Sequence, residues 1–262
     1  MLRQRIMSAL LGIPLVVLAV WHGGIPLLLL IGVLIMLGIK EMMEILAKLG
    51  LNPLLWLAVA GGLILISGVY LYSDGYPGPT ITIILFLHLI ATVTFYPRYS
   101  LLDGAGTLMS TLYVGLLTYL YLLRSLPDGW IWLIFMLACT WACDTAAYFV
   151  GTAFGKRKIA PVLSPKKSLE GAIGGLAGSV LTSSLFAYIY PFLSVPKILL
   201  LGLLVGLASE VGDLLESAFK RQAGIKDSSM LIPGHGGILD RIDSWLFTAP
   251  LVYYFVLLFI IH

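Results

Sequence analysis

Apolar residues fall into nine long runs along the chain, separated by Gly, Pro or charged residues. The runs cover approximately residues 6–21, 25–46, 53–72, 80–96, 106–123, 129–153, 169–190, 197–219 and 242–261. A bilayer core of about 30 Å requires roughly 17 to 25 mostly apolar residues per helix. The pattern therefore predicts an all-α fold: a polytopic integral membrane helical bundle of about nine transmembrane helices.

Composition supports a membrane environment over an aqueous one. Hydrophobic residues make up 60% of the 262-residue chain and charged residues 11%, whereas soluble domains carry about 25% charged residues. The net charge of +3 is too small to indicate nucleic acid binding. Cys139 and Cys143, one helical turn apart in an apolar run, are interpreted as packing residues.

The distribution of Lys and Arg predicts the orientation in the membrane. With nine spans and a cytoplasmic N-terminus, the cytoplasmic side collects Arg3, Arg5, Lys40, Lys48, Arg98, Lys156, Arg157, Lys158, Lys166, Lys167, Lys220, Arg221, Lys226 and Arg241. The opposite side keeps only Arg124 and Lys197. By the positive-inside rule we expect a multi-pass protein of the cell (inner) membrane, with its C-terminus on the opposite side.

The loops are unequal in length, and this indicates where function lies. The two longest, residues 154–168 and 220–241, both lie on the predicted cytoplasmic side. Long loops in compact proteins usually carry function. We therefore divide the chain into N-terminal transmembrane helices, 1–128, and C-terminal catalytic transmembrane helices with these two loops, 129–262. The active site should face the cytoplasm.

Four carboxylates on three predicted spans are expected to converge near the cytoplasmic helix ends: Asp144, Asp213, Asp240 and Asp243. Grouped carboxylates at low dielectric require protonation or cations, and an all-oxygen ligand set favours a hard ion such as Mg²⁺. Because Mg²⁺ usually takes only one or two protein carboxylates, four indicate a second cation, for which a monovalent ion such as K⁺ is one option. The alternative is ion pairing with Lys220 and Arg241.

Basic residues flank this acidic group in both long loops. Taken alone, Lys166, Lys167, Arg221 and Lys226 indicate topology or attraction to anionic lipid head groups. Combined with carboxylates, they favour a site for Mg²⁺ and phosphate. His235, Gly236 and Gly237 precede Asp240, and the two glycines would let the backbone approach a ligand closely.

Small residues predict close helix packing in the C-terminal third. Gly171, Gly175 and Gly178 lie along the seventh span, and Gly202 and Gly206 form a GxxxG step in the eighth. Internal packing is the favoured interpretation. A homodimer face is the alternative.

The second long loop and its flanks carry a specific resemblance. From Ser217 to Asp243 the chain reads SAFKRQAGIKDSSMLIPGHGGILDRID, which resembles the signature of phosphatidate cytidylyltransferases, also called CDP-diacylglycerol synthases. The signature's fixed positions are met by Ser217, Lys220, Arg221, Lys226, Asp227, His235, Gly236, Gly237, Asp240, Arg241 and Asp243. The resemblance extends upstream to Asp144, with Ala146 where Gly and Ser168 where Thr is expected.

The resemblance implies a reaction of CTP with phosphatidic acid that requires Mg²⁺ and gives CDP-diacylglycerol and pyrophosphate. Taken with the pattern of carboxylates described above, it implies catalytic roles for Asp144, Asp213, Asp240, Asp243, Lys220 and Arg241, the four aspartates being metal ligands. Substrate binding then falls to Lys166, Lys167, Ser217, Arg221, Lys226, Asp227, His235, Gly236 and Gly237. Membrane lipids are the surrounding partner.

Two other functions fit parts of the pattern. An ion-coupled transporter also uses intramembrane carboxylates, but the long basic loops have no natural role there. Another CTP-dependent lipid enzyme, such as a polyprenol kinase, would transfer the γ-phosphoryl group and release CDP. The full 27-residue match favours the cytidylyltransferase.

Overall fold

The computed structural model describes residues 2–72, 78–191, 193–232 and 236–261. The helices of these residues are α1 (Leu2–His22), α2 (Gly24–Lys48), α3 (Leu55–Leu71), α4 (Gly78–Thr94), α5 (Leu101–Gly115), α6 (Thr118–Ser125), α7 (Gly129–Phe154), α8 (Leu169–Ile189), α9 (Val195–Gln222) and α10 (Leu239–Val256). A short π-helical segment, Leu257–Ile261, continues α10. The described residues contain no β-strand, so the all-α prediction is confirmed.

The predicted spans coincide with helices. Six helical stretches are long and apolar enough to cross a membrane among the described residues: Gly24–Lys48, Leu101–Ser125, Gly129–Phe154, Leu169–Ile189, Val195–Gln222 and Leu239–Ile261. Two shorter apolar helices, α3 and α4, occupy the third and fourth predicted spans. Large apolar side chains such as Phe86, Leu181 and Tyr188 are exposed, as expected for surfaces that contact lipid. The chain is a multi-pass membrane protein.

The second long loop is shorter in the structure than in the sequence-based prediction. Lys220 and Arg221 belong to the last turn of α9, and Asp240 to the first turn of α10. This placement follows the helix dipole, which favours cations at the C-terminal end and anions at the N-terminal end. We call the described residues between the two helices, 223–232 and 236–238, the signature loop.

The chain forms two compact units, and their borders lie within α9 and α10. Unit 1 comprises Met1–Ser125 and Phe219–Ile242; unit 2 comprises Leu126–Ala218 and Asp243–His262. The signature loop thus belongs to the same unit as the N-terminal helices. The assignment of catalysis to residues 129–262, with residues 1–128 as further transmembrane helices, stays a prediction.

Unit 1 packs α2, α3, α4 and α5 through small residues and buried polar caps. A Cβ at Gly61 would lie 3.4 Å from the His88 ring, and one at Gly62 would lie 3.0 Å from Ile35. Ser100 and Asp103 form a capping box at the start of α5. Asp103 also accepts a hydrogen bond from the Asn52 N–H at 2.7 Å. This buried carboxylate therefore stabilises a helix start.

Unit 2 packs α8 against α7 and α9 through the predicted glycines. A Cβ on Gly175 would lie 3.0 Å from the Cys143 sulfur, and one on Gly178 would lie 2.7 Å from Ala146. A Cβ on Gly206 would lie 2.9 Å from Leu176. Both cysteines are buried free thiols. Internal packing is therefore confirmed as a role of these glycines, and of the cysteines.

The two basic residues that depart from the predicted charge bias both bind helix-end carbonyls. Arg124 donates from Nε to the Val20 carbonyl at 2.9 Å, near the end of α1. Lys197 donates from Nζ to the Phe259 carbonyl in the terminal π-helical segment. Both positions thus have a structural reason to carry a cation.

Candidate functional site

Three carboxylates come together in unit 2: Asp213 and Glu216 of α9, and Asp243 of α10. One carboxylate oxygen from each lies within 4.8 Å of the others. Glu216 is 2% exposed, and the other two are partly exposed. We call these residues the acidic cluster. Its oxygen-only donor set and spacing fit a hard divalent cation.

The acidic cluster depends on a close approach between α9 and α10. A Cβ on Gly212 would lie 2.6 Å from the Asp243 carbonyl oxygen and 3.1 Å from the Ser244 Cα. The Ser244 hydroxyl donates to the Ser209 carbonyl at 3.4 Å across the same contact. A side chain at position 212 would push the α9 and α10 backbones apart. Gly212 therefore allows the carboxylates of Asp213 and Asp243 to lie close together.

Asp144 projects from α7 toward α9. The Ser209 hydroxyl donates to its Oδ1 at 3.2 Å. The preceding residue on α7, Cys143, donates from its thiol to the Gly206 carbonyl at 3.7 Å, a second contact between α7 and α9. Asp144 thus reaches the same α9 surface that carries Asp213.

Lys167 is the cation that contacts this surface. Its Nζ lies 2.9 Å from Asp213 Oδ2 and 3.0 Å from Glu210 Oε2. Burial acts to lower the pKa of Lys167, but the carboxylates of Asp213 and Glu210 outweigh it and hold that pKa above its usual value. Lys167 is therefore charged at neutral pH and is held in place by two carboxylates.

A cavity of about 270 Å³ opens beside this ion pair. Its polar lining residues are Asp144, Tyr148, Thr152, Lys166, Lys167, Ser168, Glu210 and Asp213. Carboxylates and lysines lie together here, and glycines 151 and 171 form part of the wall. The cavity combines features that bind cations with features that bind phosphates.

The loop that carries Lys166 and Lys167, residues 155–168, is fixed at both ends. Glu170 accepts hydrogen bonds from the N–H groups of Lys156 and Arg157, at 2.9 and 3.1 Å. The Leu169 N–H donates to the Arg157 carbonyl at 2.8 Å, and Ser168 caps α8 through the Gly171 N–H. The loop therefore presents its lysines from a defined backbone.

In unit 1, Lys220 and Asp240 form a buried ion pair. Lys220 Nζ lies 2.5 Å from Asp240 Oδ1, and the two side chains are 11% and 5% exposed. Asp240 Oδ2 also accepts from the Ser228 N–H at 3.0 Å and the Gly237 N–H at 2.8 Å. For Asp240, the structure shows the ion-pairing alternative raised by the sequence. Its assignment as a metal ligand stays a prediction.

Of the other predicted site residues, Arg221, Lys226, Asp227 and Arg241 lie on or beside the signature loop, and Lys166 and Ser217 lie in unit 2. Lys226, Asp227 and Arg241 are exposed, as is Lys166 in unit 2. Arg221 is exposed and donates from Nη1 to the Ile225 carbonyl at 2.9 Å. In unit 2, the Ser217 hydroxyl donates to Asp213 at 3.4 Å.

The glycines of the signature are required by their surroundings. Gly236 has a φ of 83°, which favours glycine, and a Cβ there would lie 2.7 Å from the Asp240 carboxylate. A Cβ on Gly237 would collide with the Ser228 hydroxyl and lie 2.6 Å from Glu41 Oε1. These glycines therefore have an observed structural role, and the close approach of a ligand to them stays a prediction. His235 lies outside the described residues.

Three acidic residues in these clusters were absent from the predicted site: Glu41, Glu210 and Glu216. Glu216 follows Asp213 by three residues on α9, a spacing that places both on one helix face and was available from the sequence. Glu210 likewise precedes Asp213 by three residues. Glu41 is different, because its partners lie 187 to 198 residues away. No local pattern indicates such a contact.

Comparison with known proteins places the chain in a family. The model of the cytidylyltransferase family matches residues 3–259. A phosphatidate cytidylyltransferase of Staphylococcus aureus is 32% identical over 260 residues, covering 96% of this chain and 97% of that protein. One from Synechocystis sp. is 35% identical over 290 residues, covering 97% and 96%. One from Staphylococcus haemolyticus is 34% identical over 261 residues, covering 96% and 97%. The chain belongs to the cytidylyltransferase family.

Proposed function

We propose that this enzyme transfers the cytidylyl group of CTP to phosphatidate, forming CDP-diacylglycerol and pyrophosphate. The observation that carries the proposal is the similarity along nearly the whole chain to proteins named phosphatidate cytidylyltransferase. Both reactants are polyanions, so the lysine-lined cavity is consistent with the proposal. The acidic cluster is consistent with it as a site for the cation that would offset their charge.

The chemistry needs little acid–base assistance. A phosphate oxygen of phosphatidate attacks the α-phosphorus of CTP, and the bond between the α-phosphorus and the bridging oxygen to the β-phosphate breaks. The second pKa of a phosphomonoester is about 6, so the attacking group is mostly dianionic at pH 7. The protein's task is therefore to bring together two anions and to stabilise the departing pyrophosphate.

The acidic cluster is proposed to hold Mg²⁺. Asp213, Glu216 and Asp243 would supply the carboxylate ligands, with Asp144 beside them on α7. When bound, the cation offsets repulsion between the phosphates and stabilises negative charge on pyrophosphate. Participation of Asp240, and a second cation such as K⁺, are parts of the same proposal.

The lysines and arginines are proposed to bind phosphates. Lys167 is held at the cavity by Glu210 and Asp213, and Lys166 precedes it on the exposed loop. In unit 1, Lys220 is fixed by Asp240, and Lys226 and Arg241 are exposed. Charged donors of this kind form the strongest hydrogen bonds to phosphate oxygens.

The two substrates have opposite solubilities, which places the chemistry at the membrane surface. Exposing acyl chains to water would cost about 0.8 kcal/mol per CH₂, so the tails stay in the bilayer. CTP is too charged to enter hydrocarbon. We propose that the site faces the cytoplasm of the cell membrane, with the N-terminus on that side and the C-terminus on the other, in line with the charge bias of the loops.

The position of a radiolabel in the products tests the proposed reaction. Purified protein in detergent should move label from α-labelled CTP into lipid when phosphatidate and Mg²⁺ are present. Label from γ-labelled CTP should appear in pyrophosphate. A CTP-dependent lipid kinase would instead move the γ-label into lipid. If folded protein does not transfer label from α-labelled CTP into lipid, the proposal is refuted.

Replacing Lys167 tests the phosphate-binding role of the cavity. Lys167→Ala should lower kcat/KM by about tenfold to a hundredfold, the equivalent of a charged hydrogen bond of roughly 1.5 to 3 kcal/mol. The matched control is Lys158→Ala in the same loop, an exposed residue outside the cavity lining. The two variants should be compared in the labelling assay. Equal activity of both would contradict the assignment of Lys167.

A further inference from the structure

Glu41 of α2 is buried at 4% exposure and binds the signature loop of the same unit. Its Oε1 accepts hydrogen bonds from the Ser229 hydroxyl at 2.6 Å and the Ile238 N–H at 2.9 Å. Its Oε2 accepts from the Ser228 hydroxyl at 2.9 Å and the Leu239 N–H at 2.8 Å. Two serine hydroxyls within the loop and two backbone N–H groups at the start of α10 thus donate to one carboxylate.

Two of these donors belong to the start of α10. The N–H groups of Ile238 and Leu239 lie at the N-terminus of that helix, where backbone donors have no partner within the helix. A carboxylate at this position satisfies them and interacts favourably with the helix dipole. Glu41 therefore caps α10 from a helix almost two hundred residues earlier in the chain.

Glu41 and Asp240 share one donor, which couples the cap to the ion pair. The Ser228 hydroxyl lies 2.9 Å from Glu41 Oε2 and 2.9 Å from Asp240 Oδ2. A hydroxyl donates one proton at a time, so Ser228 can donate to only one of the two carboxylates at any moment. Gly237 fits between them because a side chain there would meet both Ser228 and Glu41. The loop is thus fixed between two anionic anchors.

We propose that Glu41 is a positioning residue for the cytidylyl transfer: it holds the signature loop in the conformation that exposes Lys226 to substrate and keeps the Lys220–Asp240 pair in place. This inference rests on the proposed function. Glu41 itself is buried beneath the loop and acts through its hydrogen bonds. Nothing in the signature from Ser217 to Asp243 includes it.

The test replaces Glu41 with Gln. The amide keeps one acceptor oxygen and places an NH₂ group against two donors, so about half of the contacts are lost without a change in volume. The control is Glu44→Gln, one turn further along α2 at an exposed position. In the labelling assay, E41Q should lower kcat/KM by at least about tenfold, the equivalent of roughly 1.4 kcal/mol, and E44Q should match the parent.

A second measurement reports loop order independently of activity. Met230 is 93% exposed, and both native cysteines are buried, so Met230→Cys can be labelled selectively with a nitroxide. Its spectrum should show greater mobility with E41Q and an unchanged line shape with E44Q. If E41Q does not fold, Ser229→Ala, which removes one donor to Glu41, takes its place in both measurements.

The combined outcomes decide the proposal. Greater loop mobility together with lost activity supports it. Lost activity with an unchanged spectrum, greater mobility with normal activity, or no change in either overturns it. If the parent protein fails to label lipid from α-labelled CTP, the proposed function fails, and the nitroxide spectra still establish whether Glu41 orders the loop.

Discussion

Asp243→Asn should lower kcat by about a thousandfold, because a metal ion supplies several kcal/mol of transition-state stabilisation and each 1.4 kcal/mol is tenfold in rate. The substitution keeps the volume of the side chain and its acceptor for the Ser244 N–H, observed at 2.8 Å. It removes one of the three charges of the acidic cluster. The loss should therefore fall on cation binding and catalysis, with the helices still folded.

Magnesium dependence separates a ligand from a merely structural residue. In the labelling assay, Asp243→Asn should require a higher Mg²⁺ concentration for half-maximal activity, and Glu216→Gln should do the same. Asp128→Asn is the matched control, since Asp128 is exposed and its side chain makes no capping hydrogen bond. Activity of Asp243→Asn within about threefold of the parent at every Mg²⁺ concentration would remove the acidic cluster from the mechanism, given an expected loss of several kcal/mol.

Glu216 could have been predicted as a site residue from the sequence. Asp213 and Asp243 were predicted as ligands because charges within apolar spans are costly and indicate function. Glu216 satisfies the same criterion, lies on the same face of α9 as Asp213, and is more deeply buried. The helical period was thus sufficient to predict both α9 members of the acidic cluster, Asp213 and Glu216.

Ion pairing of Asp240 with Lys220 was one predicted alternative, but the backbone donors to Asp240 could not be predicted in the same way. Sequence spacing places Asp240 and Asp243 on one face of α10 and therefore suggests one role for both. In the structure Asp240 instead bonds Lys220 and the Ser228 and Gly237 N–H groups. Those bonds require Ser228 and Gly237 to lie beside Asp240, and the spacing of residues along one helix does not predict such contacts.

The fold itself was largely readable because the bilayer imposes a simple rule. Every spanning segment must satisfy its backbone internally, so apolar runs of sufficient length become helices. Helix ends were predicted less accurately: α9 continues to Gln222, beyond the apolar run that ends near residue 219. Lys220 and Arg221 extend it because basic residues stabilise the C-terminal turn. A pair of basic residues after an apolar run can therefore belong to the last turn of the helix and need not begin the loop.

Lys220→Met and Asp240→Asn, alone and together, should separate structural from chemical roles of the buried ion pair. Removing one partner leaves an uncompensated charge, at a cost of about 3 to 5 kcal/mol. Lys220 and Asp240 are 11% and 5% exposed, so solvent screens them little. Each single variant should lose more of its folded population on heating than Lys48→Met, an exposed control at the end of α2.

The double variant removes both charges, so much of the lost heat resistance should return. Activity should not return with it. Lys220 is proposed to bind a phosphate, and Met has no donor to replace that contact. We therefore expect kcat/KM of the double variant to stay about a hundredfold below the parent, the equivalent of roughly 3 kcal/mol for a charged hydrogen bond. Folded protein after heating is measured by size-exclusion chromatography, and activity by labelling. Recovery of both quantities together would mean that Lys220 serves only to neutralise Asp240, and its contact with substrate would have to be abandoned.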